Sequence, residues 1–226
     1  MKKKEKETLK SQRKALLEAA QRMSISGLSP GRSGNLSCRV KGGMLITPSG
    51  LSYDEMKPSS IVYVEDDGSV SKDQLAPSTE WLFHQAIYQA RPDIGAVVHS
   101  HSLHATVLAC SEKSIPAFHY MVAVAGGSEI PLVPYAPFGT EDLAQIVVSG
   151  LRMHNACLLS HHGQIAVGET LEQAFELACE VEVLAEQYVK VLSLGSPQLL
   201  SEADMRIVLE KFKSYGRKVS QINKQK

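Results

Sequence analysis

The chain has 226 residues, and its 24 Lys and Arg residues balance 24 Asp and Glu residues, so the formal net charge is zero. Hydrophobic residues make up 43% and charged residues 21%. This composition excludes a disordered or collagen-like chain and supplies enough apolar surface for a core without disulfide or metal staples. Proteins that hold nucleic acid by phosphate attraction normally show a basic excess, which this sequence lacks. An anionic ligand must therefore be bound by a local site.

The sequence also predicts the cellular location and the domain organisation of the protein. No segment has the roughly 18 consecutive apolar residues of a membrane span, and no apolar stretch follows the basic N-terminus as in a signal peptide. The cysteines are far apart and form no C-x-x-C pair, as expected for reduced thiols; they are Cys38, Cys110, Cys157 and Cys179. No linker divides the chain. We expect a cytoplasmic protein with one domain over residues 1–226, a polar tail after about residue 216, and no membrane or nucleic-acid partner.

The first half of the chain predicts two helices and several short strands. A helical stripe of apolar residues covers about 7–26 and ends at the C-cap candidate Gly27. Ser78 can cap a second helix, which runs through Glu80 to about residue 90. Apolar runs bounded by turn residues predict strands at 36–40, 44–47, 61–65 and 96–101.

The second half alternates helices and strands irregularly. Helices are expected at about 104–110, 140–153, 170–194 and 201–215. Strands are expected at 132–135, 156–160 and 164–167, and the prolines beside the first of these favour an edge position. The hairpin-like pairs predict an α/β fold with a mixed or largely antiparallel sheet flanked by helices.

Two histidine pairs are candidates for metal binding. In His99-Ser100-His101, residues i and i+2 of a strand point to the same face, so the two imidazoles would project together. They could form half of a first-row metal site, or they could be ordinary structural histidines. His161-His162-Gly163 follows a buried strand, and the turn at the glycine would fix the side chain before it. This pair either completes a His-rich zinc site or belongs to a polar turn.

Pro77-Ser78-Thr79-Glu80 lies at the start of a predicted helix. A helix N-terminus presents free N–H groups and the positive end of the helix dipole, which favour phosphate. Glu80 could complement that dipole, ligate a metal or act as a general base. His84 shares a face with Glu80 and is a rival ligand, but its apolar neighbours Phe83 and Ile87 indicate packing on the core.

Two glycine-containing loops could contact an oxyanion. In Gly31-Arg32-Ser33-Gly34-Asn35, backbone N–H groups could close on phosphate and the arginine could pair with it. The same loop is also typical of a tight turn between a helix and a strand. Thr47-Pro48-Ser49-Gly50 is a similar short turn with a free hydroxyl.

Taken together, these motifs resemble the class II aldolase and adducin family, over about residues 9–216. The matching pieces are Ser33-Gly34-Asn35-Leu36-Ser37, Leu45-Ile46-Thr47-Pro48-Ser49-Gly50, Pro77-Ser78-Thr79-Glu80-Trp81, Val98-His99-Ser100-His101 and His161-His162-Gly163. Within the family, the stretches at 115–121, 125–127, 134–140 and 208–216 resemble the group that cleaves L-fuculose 1-phosphate. The resemblance implies a single-domain fold with a central, mostly antiparallel sheet between helices. It also implies a homotetramer with sites at subunit interfaces.

The resemblance assigns roles to individual residues. It implies that Zn²⁺ is held by His99, His101 and His162, with Glu80 as the fourth ligand at rest and the general base once substrate displaces it. Tyr120 would reach the aldehyde end across a subunit boundary as proton donor, and Tyr215 would line the same pocket. The substrate and its phosphate would be bound by Gly34, Asn35, Ser49, Gly50, Ser78, Thr79 and the wall residue Phe138.

The implied reaction is cleavage of a ketose 1-phosphate to dihydroxyacetone phosphate and a small aldehyde. L-Fuculose 1-phosphate, which gives L-lactaldehyde, is the first candidate, and 5-deoxy- or 5-methylthio-ribulose 1-phosphate are alternatives. The sequence departs from the family pattern at Arg32, which could reinforce phosphate binding or narrow the pocket, and at Ser49, where a Thr is usual. An L-ribulose-5-phosphate 4-epimerase and a metal-free, adducin-head-like interaction module are further alternatives.

Overall fold

The computed structural model describes residues 3–29 and 32–213, with side chains from residue 7 onward. Gly31, Tyr215 and the predicted polar tail lie outside these residues. Within the described part of the chain, no helix combines the length and apolar character needed to cross a membrane.

The helices and strands follow the predicted order. The helices are α1 (Lys3–Ile25), α2 (Trp81–Ala90), α3 (Leu103–Cys110), α4 (Glu141–Gly150), α5 (Leu171–Leu194) and α6 (Glu202–Phe212). The strands are β1 (Asn35–Val40), β2 (Gly43–Ile46), β3 (Val62–Glu65), β4 (Ala96–Ser100), β5 (Leu132–Val133), β6 (Ala156–Leu159) and β7 (Gly163–Gly168). Two 3-10 helices, Pro58–Ser60 and Tyr120–Ala125, were not predicted.

The strands form one seven-stranded sheet in the order β3-β2-β1-β4-β7-β6-β5. Every pairing is antiparallel except that of β5 with β6. The α/β fold with a central, mostly antiparallel sheet is therefore confirmed, and β5 is an edge strand as predicted. It is shorter than expected, because only Leu132 and Val133 pair with β6.

Helices cover both faces of the sheet, because successive strand side chains point to opposite sides. On one face, Val98 and Leu158 pack with buried residues of α1, α3 and α5. On the other face, Val97 and Leu159 pack with buried residues of α2 and α4. His99 follows Val97 by two residues and so lies on the α2/α4 face, which places it beside the start of α2.

Some predicted boundaries were wrong for local reasons. The helix expected from Glu80 begins at Trp81, with Glu80 itself in the N-cap position. Ser78 is therefore not the N-cap, although its Oγ accepts a hydrogen bond from the Glu80 backbone N–H at 3.3 Å. α4 ends at Gly150 rather than at residue 153. α5 begins as predicted, because Thr170 and Gln173 form a reciprocal capping box.

Truncation of a buried leucine in α1 should measure how strongly this helix is held. Leu16 is fully buried, so Leu16→Ala should lower the free energy of unfolding by about 2–5 kcal/mol, the usual cost of a cavity. Leu194→Ala is the matched control, since Leu194 is 90% exposed. This substitution should change the free energy of unfolding by less than about 0.5 kcal/mol. Urea unfolding of the two variants tests this, and equal losses would contradict the assigned packing of α1.

Candidate active site

Two strands, the turn between two others and the start of one helix bring the predicted site residues together. Asn35 on β1 is paired directly with His99 on β4, so their side chains lie on the same face of the sheet. His162 lies in the turn between β6 and β7, and Glu80 precedes the first turn of α2. His101 follows the end of β4.

His99, His101 and His162 form a compact cluster. Their candidate ligand atoms all lie within 4.8 Å of one another. The ring centroids are 4.8–4.9 Å apart in edge-to-face geometry. The prediction that these three imidazoles converge is confirmed, although His101 lies just beyond the strand rather than on it.

The carboxylate of Glu80 faces this cluster from the α2 side. Its Oε2 lies 3.2 Å from His99 Nε2 and accepts a hydrogen bond from Asn35 Nδ2 at 2.8 Å. Its Oε1 lies 3.1 Å from His162 Nε2. That contact lacks hydrogen-bond geometry, so Oε1 is a buried oxygen without a hydrogen-bond partner. Such an atom is costly unless another ligand satisfies it.

The hydrogen bonds around His99 indicate that a cation belongs in this cluster. His99 Nδ1 lies 2.9 Å from the carbonyl oxygen of Gln164, and a carbonyl only accepts, so Nδ1 carries the proton in the neutral ring. The lone pair on Nε2 then faces His101 Nε2 at 3.0 Å and Glu80 Oε2 at 3.2 Å. Electron-rich atoms at these distances repel one another unless a positive charge, either a metal ion or a proton on His99 Nε2, lies among them.

The direction of each pKa shift agrees with that requirement. Burial acts to lower the pKa of His99, but the adjacent Glu80 carboxylate outweighs burial and raises it. Burial and the charge of His99 together lower the pKa of His101 to about 3. Burial acts to raise the pKa of Glu80, but His99 and His162 outweigh it and lower it. The site therefore favours an ionised Glu80 beside a cation.

These residues fit a divalent metal ion. Three imidazoles and one carboxylate are a usual donor set for zinc and related metals. The backbone contact of His99 with Gln164 is the kind of outer contact that fixes the orientation of a ligating imidazole. The orphaned Glu80 Oε1 supplies the remaining donor.

A cleft of about 360 Å³ opens above the cluster. Glu80, His101 and His162 line its floor, while His99 is fully buried beneath it. The predicted substrate-binding residues all line this cleft, namely Gly34, Asn35, Ser49, Gly50, Ser78, Thr79 and Phe138. The structure thus brings the predicted phosphate and metal residues to one cavity.

Two loops and the start of α2 form part of the cleft wall. Ser49, Gly50 and Thr79 are exposed there, whereas Ser78 is buried. Gly50 has φ +72°, a conformation that other residues rarely adopt. Arg32 Nη1 donates to the Gly50 carbonyl at 3.0 Å, so the arginine joins the two loops and lines the cleft.

Of the two predicted tyrosines, only Tyr120 lies among the described residues, and it does not line this cleft. Tyr120 is 51% exposed at the start of its 3-10 helix and is not among the lining residues. Tyr215 lies outside the described residues. The predicted contact of Tyr120 with the aldehyde end requires a neighbouring subunit and stays a prediction, as does the predicted place of Tyr215 in the same pocket.

Sequence reasoning gave Tyr135 no role in the site and left the roles of His161 and His84 open. Tyr135 and His161 line the cleft, and their rings meet edge to face at 6.3 Å. His161 has φ +54°, a left-handed conformation at the β6–β7 turn. His84, the rival ligand, is fully buried and hydrogen-bonded to Asn35 and Ser37. Its nitrogens are therefore occupied, and it does not join the metal cluster.

The comparisons with known proteins point the same way. A sequence model described as the Class II Aldolase and Adducin N-terminal domain matches residues 14–189. The chain is 48% identical over 204 residues to a 5-methylthioribulose-1-phosphate/5-deoxyribulose-1-phosphate aldolase of Rhodospirillum rubrum, covering 90% of this chain and 92% of that protein. It is also 48% identical over 207 residues to an L-fuculose phosphate aldolase of Haemophilus influenzae, covering 91% and 95%.

A solved structure gives the same result for the fold. A protein described as L-fuculose 1-phosphate aldolase superposes with a TM-score of 0.85 and 37% identity, over 89% of this chain and 95% of that one.

Proposed function

Since the chain belongs to the class II aldolase and adducin family, we propose that it is a zinc-dependent aldolase that cleaves a ketose 1-phosphate to dihydroxyacetone phosphate and a small aldehyde. The observation that carries this proposal is the three-histidine cluster facing Glu80 at the floor of a cleft. The start of α2 provides a place for phosphate at the same cleft.

The metal would be held by His99, His101 and His162, with Glu80 as the fourth ligand before substrate arrives. When bound, the ion supplies Lewis-acid polarisation of the substrate carbonyl and stabilises the negative charge that C–C cleavage leaves behind. Gln164 keeps the His99 ring oriented through its backbone carbonyl.

Glu80 and Tyr120 would move the two protons of the reaction. In the condensation direction, Glu80 removes a proton from the carbon next to the carbonyl of dihydroxyacetone phosphate, and Tyr120 from a neighbouring subunit donates one to the aldehyde oxygen. In the cleavage direction, Tyr120 accepts the hydroxyl proton as the C–C bond breaks, and Glu80 returns a proton to the carbon. Tyr215 lines the aldehyde end of the same pocket. This division of labour requires an oligomer with sites at subunit interfaces, and we propose a homotetramer.

The substrate phosphate would be bound by hydroxyls and backbone N–H groups rather than by a large basic surface. Ser49, Gly50, Ser78 and Thr79 line the cleft together with Gly34 and Asn35. Holding the phosphate there fixes the reacting carbons against the metal, so positioning supplies part of the rate enhancement. A net charge of zero agrees with such a local site.

A phosphate-specific variant should raise KM without removing the chemistry. Thr79→Val keeps the shape of an exposed side chain at the cleft but removes its hydroxyl. We expect KM for the ketose phosphate to rise about 10–100-fold, the cost of one hydrogen bond to a charged group, with kcat within about twofold. Steady-state kinetics and competition by inorganic phosphate test this. A fall in kcat alone would contradict the assignment.

L-Fuculose 1-phosphate is the first candidate substrate, and 5-deoxy- and 5-methylthio-ribulose 1-phosphates are the second. Relatives of equal identity carry the two names: 48% over 204 residues for the second group and 48% over 207 residues for L-fuculose phosphate. Tyr135 and Phe138 also leave an exposed aromatic rim at the cleft, which suits an apolar sugar end in either group.

Release of dihydroxyacetone phosphate from each of these sugars tests the proposal. The zinc-loaded protein should release it from at least one of them, and a chelator should stop the release. Interconversion of L-ribulose 5-phosphate and its C4 epimer without fragment release would instead indicate an epimerase. A chain that binds no zinc and cleaves no sugar would be an adducin-head-like interaction module. We place the enzyme in the cytoplasm, with no membrane or nucleic-acid partner.

A further inference from the structure

A line of buried hydrogen bonds leads from Glu80 through Asn35 and His84 to Tyr88. Asn35 Nδ2 lies 2.8 Å from Glu80 Oε2, and Asn35 Oδ1 lies 2.6 Å from His84 Nε2. His84 Nδ1 is 2.7 Å from Ser37 Oγ, which is 2.7 Å from the hydroxyl of Tyr88. Each of the five residues is less than 9% exposed.

The carboxylate determines the direction of the first bonds in this line. An ionised carboxylate only accepts, so Asn35 must turn its NH₂ toward Glu80 and its carbonyl oxygen toward His84. His84 Nε2 must then carry a proton. The ring of His84 is fully buried between two neutral oxygen partners, where the neutral imidazole is favoured.

The rest of the line follows from that tautomer. The neutral ring has a lone pair on Nδ1, which accepts from the Ser37 hydroxyl, and the Tyr88 hydroxyl then donates to Ser37. Every donor therefore points toward Glu80. The amide of Asn35 does not pass protons as a hydroxyl or imidazole can, so the line transmits orientation and not protons.

We propose that His84 is a positioning residue for the aldolase reaction, holding the Asn35 amide so that its NH₂ restrains the Glu80 carboxylate against the histidine cluster. Without the His84 N–H, the amide could rotate by half a turn with little change of shape. Its carbonyl oxygen would then face Glu80 and repel it. This inference rests on the proposed function only where catalysis is the readout.

Two substitutions separate positioning from burial. His84→Phe keeps the ring and its stacking on Phe83, whose centroid lies 4.6 Å away, but removes both hydrogen bonds. His84→Gln places an N–H near the former Nε2. In zinc-loaded enzyme, we expect His84→Phe to lower kcat about 10–100-fold with KM within about twofold and zinc content unchanged.

The glutamine variant is the matched control for folding. We expect both variants to melt at a lower temperature than the parent protein, but His84→Gln should recover kcat to within about threefold. Equal losses of kcat in the two variants, following their loss of stability, would assign His84 a structural role only. Full activity of His84→Phe would also overturn the proposal.

A second measurement does not depend on which sugar is cleaved. The zinc-loaded protein is labelled with ¹⁵N-histidine, and the signals of His84 are identified as those missing from the spectrum of His84→Gln. We expect nitrogen shifts of a neutral ring protonated on Nε2. A neutral ring protonated on Nδ1 would turn the Nε2 lone pair toward Asn35, reverse the direction of the line and overturn the inference. The proposed function would fail by a different observation, namely that the wild-type protein cleaves none of the sugars.

Discussion

Replacing His99 with alanine is expected to remove bound zinc and sugar cleavage together. His99 is fully buried, its ring is oriented by the Gln164 carbonyl, and its Nε2 faces both His101 and Glu80. Metal ions contribute several kcal/mol of transition-state stabilisation, so cleavage should fall by about a thousandfold or more. Metal analysis of the purified variant, together with release of dihydroxyacetone phosphate, measures both effects.

A histidine outside the cluster provides the control for this experiment. His154 precedes β6, and Arg91 contacts its backbone carbonyl rather than its ring. His154→Ala should therefore retain an equimolar amount of zinc and the parent cleavage rate. Treating the parent protein with a chelator should reproduce the His99→Ala defect, and added zinc should reverse it. Cleavage by His99→Ala without bound metal would contradict the proposed chemistry.

The period of the strand made the metal cluster predictable. His99 and His101 are two residues apart after an apolar run, and side chains at that spacing share a face of the sheet. The structure ends β4 at Ser100, yet the two rings still converge, with centroids 4.9 Å apart. The turn at Gly163 brings His162 to the same place. Gly163 lies so close to β4 that a Cβ on it would be 2.4 Å from the Ser100 carbonyl oxygen.

Long-range strand pairing was not predictable from local pattern. β1 pairs with β4, which is not its neighbour in sequence, and this register places Asn35 directly opposite His99. Local periodicity contains no information about which distant strand is adjacent. The contact of Asn35 with Glu80 and His84 therefore became visible only in the folded chain.

The different roles of Glu80 and His84 were hidden for a related reason. Their i, i+4 spacing would place both on one helix face, so either could have been a ligand. Glu80 instead has φ −101° and ψ 13° at the N-cap, outside regular helical geometry, and its carboxylate faces the histidines. His84 is inside the helix, and its ring is held by Asn35 and Ser37. The N-cap position of Glu80 therefore turns its side chain toward the histidines, whereas His84 keeps the direction of a regular helical residue.

The proposed division of labour between Glu80 and Tyr120 predicts two variants with different partial reactions. Glu80→Gln keeps the size of the side chain and leaves three histidines for zinc, but it removes the basic oxygen. We expect zinc to remain bound and cleavage to fall about 10²–10⁴-fold, the usual contribution of a general base. Tyr120→Phe should lower cleavage as well, because the aldehyde oxygen then lacks its proton donor.

Proton exchange separates these two variants, because it needs only half of the reaction. With dihydroxyacetone phosphate in deuterated water and no aldehyde, the parent protein should exchange the proton that Glu80 removes, which NMR detects. Glu80→Gln should lose this exchange, whereas Tyr120→Phe should keep it, since no aldehyde oxygen is involved. Exchange retained by Glu80→Gln and lost by Tyr120→Phe would reverse the two roles. Exchange lost by both would mean that Tyr120 also acts on the ketose fragment. The half-reaction therefore distinguishes a general base from an aldehyde-side acid, and it does so without knowledge of the natural aldehyde.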